Sequence, residues 1–183
     1  AEQALTEAMS ISQSTDNLVT TLYALDNLAR LQVEQGYLHR ATNFHYQALQ
    51  AVEKWTKEQG HPGLYLPNSG LAYLGLAEIQ REWNELAAAR QSVNTVLELG
   101  QQWHIQDTVQ AGYITLARIL QAQGDLTGAF KAIHQAEQAA HKLSPYTAWM
   151  SAVKARLHLA EGNLLAAVHW ARTCDLPLDD SFN

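Results

Sequence analysis

A pattern that recurs four times along the chain constrains its fold more than any other feature. In each copy an alanine lies seven residues before a turn residue, a leucine follows the turn residue by two positions, and a second alanine follows the leucine by three. The first alanines are Ala29, Ala77, Ala117 and Ala155, the turn residues are Gly36, Asn84, Gly124 and Gly162, the leucines are Leu38, Leu86, Leu126 and Leu164, and the second alanines are Ala41, Ala89, Ala129 and Ala167. Recurrence of this kind indicates one small structural unit that is repeated and stacked.

Each position in the repeat has a physical role in a helical hairpin. Glycine and asparagine tolerate the left-handed backbone conformation that ends many helices, so the turn residues predict where a first helix stops. The alanines allow two helices to approach closely, and the leucine is expected to close the bottom of the hairpin core. The chain is also rich in helix-forming residues, with only 10 Gly and 4 Pro in 183 residues.

We therefore predict an all-α fold in which TPR-like helical hairpins stack into a right-handed superhelix, an α-solenoid. The first alanines, at positions 29, 77, 117 and 155, are 48, 40 and 38 residues apart. This spacing is longer than the roughly 34 residues of a standard TPR unit. The tryptophan of the standard first helix is also missing, so the units are TPR-like rather than TPR.

The whole chain, 1–183, is expected to be a single repeat domain cut from a larger protein. Residues 1–14 are predicted to be the second helix of a truncated repeat, and the predicted hairpins are 17–56, 69–104, 107–142 and 145–175. The glycine- and proline-rich segment 57–70 should form an irregular loop that folds back on the helices through its apolar residues. Ser144 is predicted to cap a helix that begins at Pro145.

Charge and composition exclude several classes of function. With 12 basic and 18 acidic residues the net charge is -6, which disfavours direct nucleic-acid binding by this segment. No apolar run is long enough to span a membrane, and the N-terminus lacks the features of a signal peptide. Cys174 is the single cysteine, so no internal disulfide can form. These features predict a cytoplasmic location.

Neither a metal site nor a catalytic centre is indicated. No two of the eight histidines are spaced to ligate one ion from one helix face, and no HExxH or Gly-x-Ser-x-Gly motif occurs. His45 falls in the second-helix core, where burial with satisfied hydrogen bonds is expected, and Cys174 is expected to be a buried thiol. We therefore expect no cofactor and no enzymatic activity.

The first helices of such a stack line its concave face, where a ligand would bind. The residues that follow the first alanines form a row across this face: Arg30, Glu78, Arg118 and Arg156. Flanking positions one turn earlier or later are Asp26, Leu74, Ile114, Ala152, Glu34, Glu82, Ala122 and Ala160, and further candidates are Tyr23, Arg81, Gln121 and Trp149. Arginine grips carboxylate or phosphate with two parallel hydrogen bonds, so one interpretation is a polar groove for a peptide or small effector. The other is that Arg30, Glu78 and Arg118 pair with each other across neighbouring repeats.

Three stretches carry a family resemblance: GLAYLGLAEIQREWNELAAA (70–89), GYITLARILQAQGDLTGA (112–129) and ARLHLAEGNLLAAVHWA (155–171). They resemble the TPR-like sensor domain of the MalT-type, LuxR-family ATP-dependent transcriptional activators. The resemblance implies a sensor domain that binds a small-molecule effector or a regulatory protein or peptide, and that acts through self-association. It supplies no ligand-binding residues for individual positions. The alternative is a structural adaptor that holds a peptide in the concave groove.

Overall fold

A computed structural model of the chain describes Glu7, residues 17–64 and residues 66–173. Between residues 17 and 173 the described part of the chain forms eight α-helices. They are α1 (Leu18–Glu34), α2 (Leu38–Glu58), α3 (Ser69–Glu82), α4 (Leu86–Gln102), α5 (Gln106–Ala122), α6 (Leu126–Ala139), α7 (Thr147–Ala160) and α8 (Leu164–Thr173). The predicted helix at 1–14, the thiol of Cys174 and the segment after it lie outside the described residues, apart from Glu7, which is helical.

The helices pair in sequence order into four hairpins: α1 with α2, α3 with α4, α5 with α6, and α7 with α8. The first helices also contact one another directly from hairpin to hairpin, α1 with α3, α3 with α5 and α5 with α7. Among the described residues the second helices make no such contacts with each other. Closer spacing of the first helices is what curvature of the stack requires, and it places them on the concave side. The predicted all-α, TPR-like solenoid is confirmed.

The turns within the hairpins adopt the predicted left-handed conformation. The backbone φ angles are 80° at Gly36, 60° at Asn84, 81° at Gly124 and 84° at Gly162. In each case the next residue donates a backbone hydrogen bond into the last turn of the first helix, as Tyr37 does to Gln32 over 2.8 Å and Glu85 does to Gln80 over 2.8 Å. These bonds satisfy carbonyl groups that the helix end would otherwise leave without partners.

The alanine columns form the centre of the stack. The first alanines of the first three hairpins and the second alanines at 41, 89 and 129 are completely buried. Larger side chains fill the space beside them, among them Leu28, Ile114 and Leu157. Full burial of one such aliphatic side chain stabilises a fold by roughly 1.5–3 kcal/mol.

The leucine column departs from the prediction in the fourth hairpin. Leu38 packs with Ala29, Ala41 and Ile79, so it fills a gap between the first hairpin and the first helix of the second. Leu164, at the same position of the last hairpin, is 64% exposed. The leucine therefore seals the interface to the next repeat rather than the base of its own hairpin, and no described residues come after α8 to cover it.

The two irregular connections differ in how well their sequences predicted them. The loop after α2 folds back as expected, since Leu66 packs against the core that includes Leu22 and Val52. The predicted helix start at Pro145 is wrong, because α7 begins at Thr147. The Ser144 hydroxyl instead binds the buried Gln110 side chain of α5, although it also accepts a 3.2 Å hydrogen bond from the Tyr146 amide.

Within the described part of the chain, no helix combines the length and the apolar character needed to cross a membrane.

Candidate functional site

The concave face encloses a cavity of about 420 Å³. It is lined by residues of α1, α2, α3, α5 and α7 and by Tyr146, which directly precedes α7. Most of the lining is apolar, and the charged groups come mainly from the first helices. The cavity thus receives side chains from every hairpin of the described stack, including the first and the fourth.

Five of the nine predicted site residues line this cavity: Asp26, Arg30, Glu78, Arg118 and Trp149. The other four are Tyr23, Arg81, Gln121 and Arg156, which do not line it. The flanking positions Leu74, Glu34 and Glu82 also contribute. Ile114 does not, because it is fully buried in the core between α5, α6 and α7.

Glu78 is the centre of a polar network that joins the second and third hairpins. Its carboxylate accepts a 2.9 Å hydrogen bond from the Thr115 hydroxyl, lies 3.4 Å from the Arg81 Nε atom and forms a salt bridge with Arg118. Glu82 adds a salt bridge with Arg81 and a 3.9 Å contact with Arg118. Charge-assisted hydrogen bonds of this kind are about twice as strong as neutral ones.

Arg118 is committed to this network. Burial lowers its pKa, Glu78 opposes that change, and the nearby guanidinium groups of Arg81 and Arg156 reinforce it. The guanidinium carbon of Arg118 also lies 5.9 Å from the ring centroid of Trp149, within the range of a cation–π interaction. One interpretation of the sequence is that Arg30, Glu78 and Arg118 pair with each other across neighbouring repeats. Glu78 and Arg118 do pair in this way, whereas Arg30 makes no ion pair within the described residues.

Asp26 and Tyr146 face the cavity from opposite ends of the stack. Burial raises the pKa of Asp26, and the positive charge of Arg30 opposes this effect. The pKa of Tyr146 is raised by burial first, and then by the charges of Asp107 and Asp26. Tyr146 therefore lies near enough to α1 to feel the charge of Asp26, 120 positions earlier in the sequence (146 − 26).

His45 lines the cavity from α2 and contacts the backbone of α3. It is 2% exposed, and burial lowers its pKa to about 4, so the imidazole is neutral at pH 7. The ring occupies the space where Gly75 has no side chain. The predicted burial of His45 is confirmed. The prediction that its ring nitrogens would have hydrogen-bond partners is wrong for Nδ1, which has none in the described structure. A buried ring nitrogen without a partner is unusual in a folded protein.

Several lining residues were not identified from the sequence as site residues. They are Val33, Leu38, His45, Leu71, Gly75, Ile79 and Tyr146. The four apolar side chains recur with helical spacing in the sequence, which predicts that they face inward. That spacing is the same for a residue in the core and for one in a cavity wall, so it identifies neither. Tyr146 carries no signal, because it lies in a connection whose path depends on the curvature of the stack.

No group of three or more potential metal ligands occurs among the described residues. Each histidine that contacts a carboxylate among these residues contacts a single one, as His141 does with Asp107 at 2.9 Å.

Comparison with known proteins extends these observations. The crystal structure of BtubC (BKLC) from P. vanneervenii superimposes with a TM-score of 0.70 over 93% of this chain and 69% of that chain. The sequences are 14% identical, so the likeness shows a common fold. No curated protein sequence matches the chain. The MalT-like TPR region, in contrast, matches residues 1–183. The chain therefore belongs to the family of MalT-like TPR regions.

Proposed function

We propose that the chain is the effector-binding sensor domain of a bacterial transcriptional regulator, and that the concave cavity receives the effector. One observation carries this proposal: a cavity of about 420 Å³ that is lined by side chains from all four described hairpins. Small-molecule sites typically have volumes of about 300–1,000 Å³, mostly apolar walls and a few polar groups that fix the ligand. Membership of the MalT-like TPR family supports a sensor role over a catalytic one.

A ligand in this cavity would change the shape of the stack. It would contact α1, α3, α5 and α7 at once, whereas hairpins in a solenoid otherwise interact mainly with their neighbours. Binding would favour the curvature in which the first and fourth hairpins are correctly spaced around the ligand. On this proposal, that change of curvature alters the surfaces available for self-association or for a regulatory protein.

The size of the cavity favours a small molecule over an extended peptide. Tyr146 and Trp149 of the fourth hairpin line it together with Asp26 and Arg30 of the first. A volume of about 420 Å³ lies in the range of small-molecule sites. The domain is proposed to act in the cytoplasm and, with a net charge of -6, to make no direct contact with nucleic acid.

A screen by thermal shift, followed by calorimetry, tests the proposal. The purified chain is screened against metabolites, nucleotides and short peptides, and each hit is measured again with Leu74→Trp and Leu165→Trp. Leu74 lines the cavity, so the larger ring should occupy it and abolish binding. Leu165 is 85% exposed on α8, so the same substitution there should leave affinity unchanged. Hits that bind Leu74→Trp as well as wild type would contradict the proposed location.

A further inference from the structure

The charged groups of the cavity are not equally available to a ligand. Arg118 pairs with Glu78 and contacts Glu82 in the network between the second and third hairpins. Asp26, Arg30 and Glu34 also line the cavity, yet none of them forms an ion pair within the described structure. Two carboxylates against one guanidinium leave the available charge negative. A cation is therefore favoured over an anion.

Asp26 is the group that most needs a partner. Its carboxylate is partly buried, which raises its pKa, and no described residue donates a hydrogen bond to it. A carboxylate that has lost part of its hydration without gaining hydrogen bonds destabilises the protein. A ligand with positively charged N–H donors would relieve this cost.

Two aromatic residues line the same cavity as Asp26, and Tyr146 is near enough that the charge of Asp26 adds to burial in raising its pKa. The ring centroids of Tyr146 and Trp149 are 6.1 Å apart, and their planes are inclined at 54°. Aromatic faces attract ammonium groups through the negative charge of their π-systems. The Arg118 guanidinium already lies over the Trp149 ring, so the Tyr146 ring is the one available to a ligand cation. The remaining wall near these groups is hydrocarbon, from Leu71 and Leu74.

His45 does not oppose a cation in this cavity. Because burial keeps its imidazole neutral at pH 7, it adds no positive charge to the wall. Its Nδ1 is buried without a hydrogen-bond partner. The acceptors that the cavity offers to a ligand rich in donors are therefore the carboxylates of Asp26 and Glu34.

From this juxtaposition we propose that the cavity binds a small organic cation, an ammonium group carried on a short hydrocarbon chain. The ammonium would lie against the Asp26 carboxylate and the Tyr146 ring, and the chain would run along Leu71 and Leu74. This inference rests on the proposed function, because it names the chemical class of the ligand for the same cavity.

Calorimetric titration of the purified chain with three matched probes tests the inference. The probes are hexylammonium, hexanol and hexanoate, which share a hydrocarbon chain and differ in charge. We expect hexylammonium to bind at least about tenfold more tightly than hexanoate, with hexanol between them, since charge-assisted hydrogen bonds are the stronger ones. Tighter binding of hexanoate, or no binding of hexylammonium, would overturn the inference.

Variants connect the result to Asp26. Asp26→Asn keeps the shape of the side chain and removes its charge, so it should weaken hexylammonium binding about tenfold or more. Glu98→Gln is the matched control, since Glu98 is exposed on α4 and does not line the cavity. Equal losses in both variants, or none in Asp26→Asn, would refute the ammonium site.

The two proposals can fail separately. An effector whose binding is lost in Leu74→Trp but kept in Asp26→Asn would uphold the sensor cavity and reject the ammonium inference. Binding of every hit and of hexylammonium that is unchanged in both variants would reject both.

Discussion

Gly75 provides the sharpest test of how the cavity wall is built. A Cβ atom at this position would lie 2.1 Å from Nε2 and 2.2 Å from Cε1 of His45, whereas ordinary contacts begin at 3.4 Å. The imidazole has little room to retreat, because it is only 2% exposed. Overpacking of this kind costs about 1–3 kcal/mol, and the better helix propensity of alanine returns about 0.5–1 kcal/mol. We expect Gly75→Ala to lower the free energy of unfolding by about 1–2 kcal/mol.

Urea denaturation followed by circular dichroism measures this change. Gly70→Ala is the matched control in the same helix, since its nearest neighbour would be the Thr108 methyl group at 3.4 Å. It should be neutral or stabilising by up to about 1 kcal/mol. The double variant Gly75→Ala, His45→Ala should lose less free energy of unfolding than the sum of the two single variants, because the new Cβ atom no longer meets the imidazole ring. A Gly75→Ala protein as stable as wild type, with no such coupling, would show that His45 does not pack against α3 in this way.

Three further predictions concern stability. Ala117→Trp should lower the free energy of unfolding by about 3 kcal/mol or more in a urea titration, because Ala117 is fully buried between helices. Ala122→Trp, at the exposed end of α5, is the control and should have little effect. The pKa of His45 is about 4 in the folded protein and about 6.5 in the unfolded chain, so on acidification the unfolded state binds the proton first. Between pH 7 and pH 4.5 the wild-type protein should therefore lose about 2 kcal/mol more free energy of unfolding than His45→Gln. Parallel pH profiles of the two proteins would contradict this. His104 has a φ of 53°, a left-handed conformation that is costly for a residue with a Cβ atom. His104→Gly should therefore stabilise the protein by about 0.5–1 kcal/mol in thermal unfolding, whereas His104→Ala should not. Equal melting temperatures of the two variants would count against strain at this turn.

The sequence predicted the hairpins because their determinants are local. A glycine or asparagine at a helix end and an alanine at a helix crossing each impose a constraint that depends on a few neighbouring residues. The pairing of Glu78 with Arg118 could also be anticipated, since both come directly after the first alanine in successive hairpins. Equivalent positions of adjacent units face each other in any stack of this kind.

The rest of the cavity could not be predicted in this way. The proximity of Tyr146 to Asp26 depends on the curvature summed over three steps of the stack, and small rotations at each step decide it. The place of His45 against Gly75 depends on the crossing of two helices from different hairpins. The exposure of Leu164 depends on whether a neighbouring unit packs against the last hairpin, which the repeat that contains Leu164 does not encode.

The approach of Tyr146 to the first hairpin has a mechanical consequence. A solenoid whose units touch only their neighbours stretches like an open coil spring, with the same compliance along its length. Here the turns at the two ends of the described coil share the walls of one gap of about 420 Å³. Extending the helical stack must widen this cavity, and compressing the stack must expel what the cavity contains. The stiffness of the domain therefore depends on whatever occupies the cavity as much as on the packing of the helices.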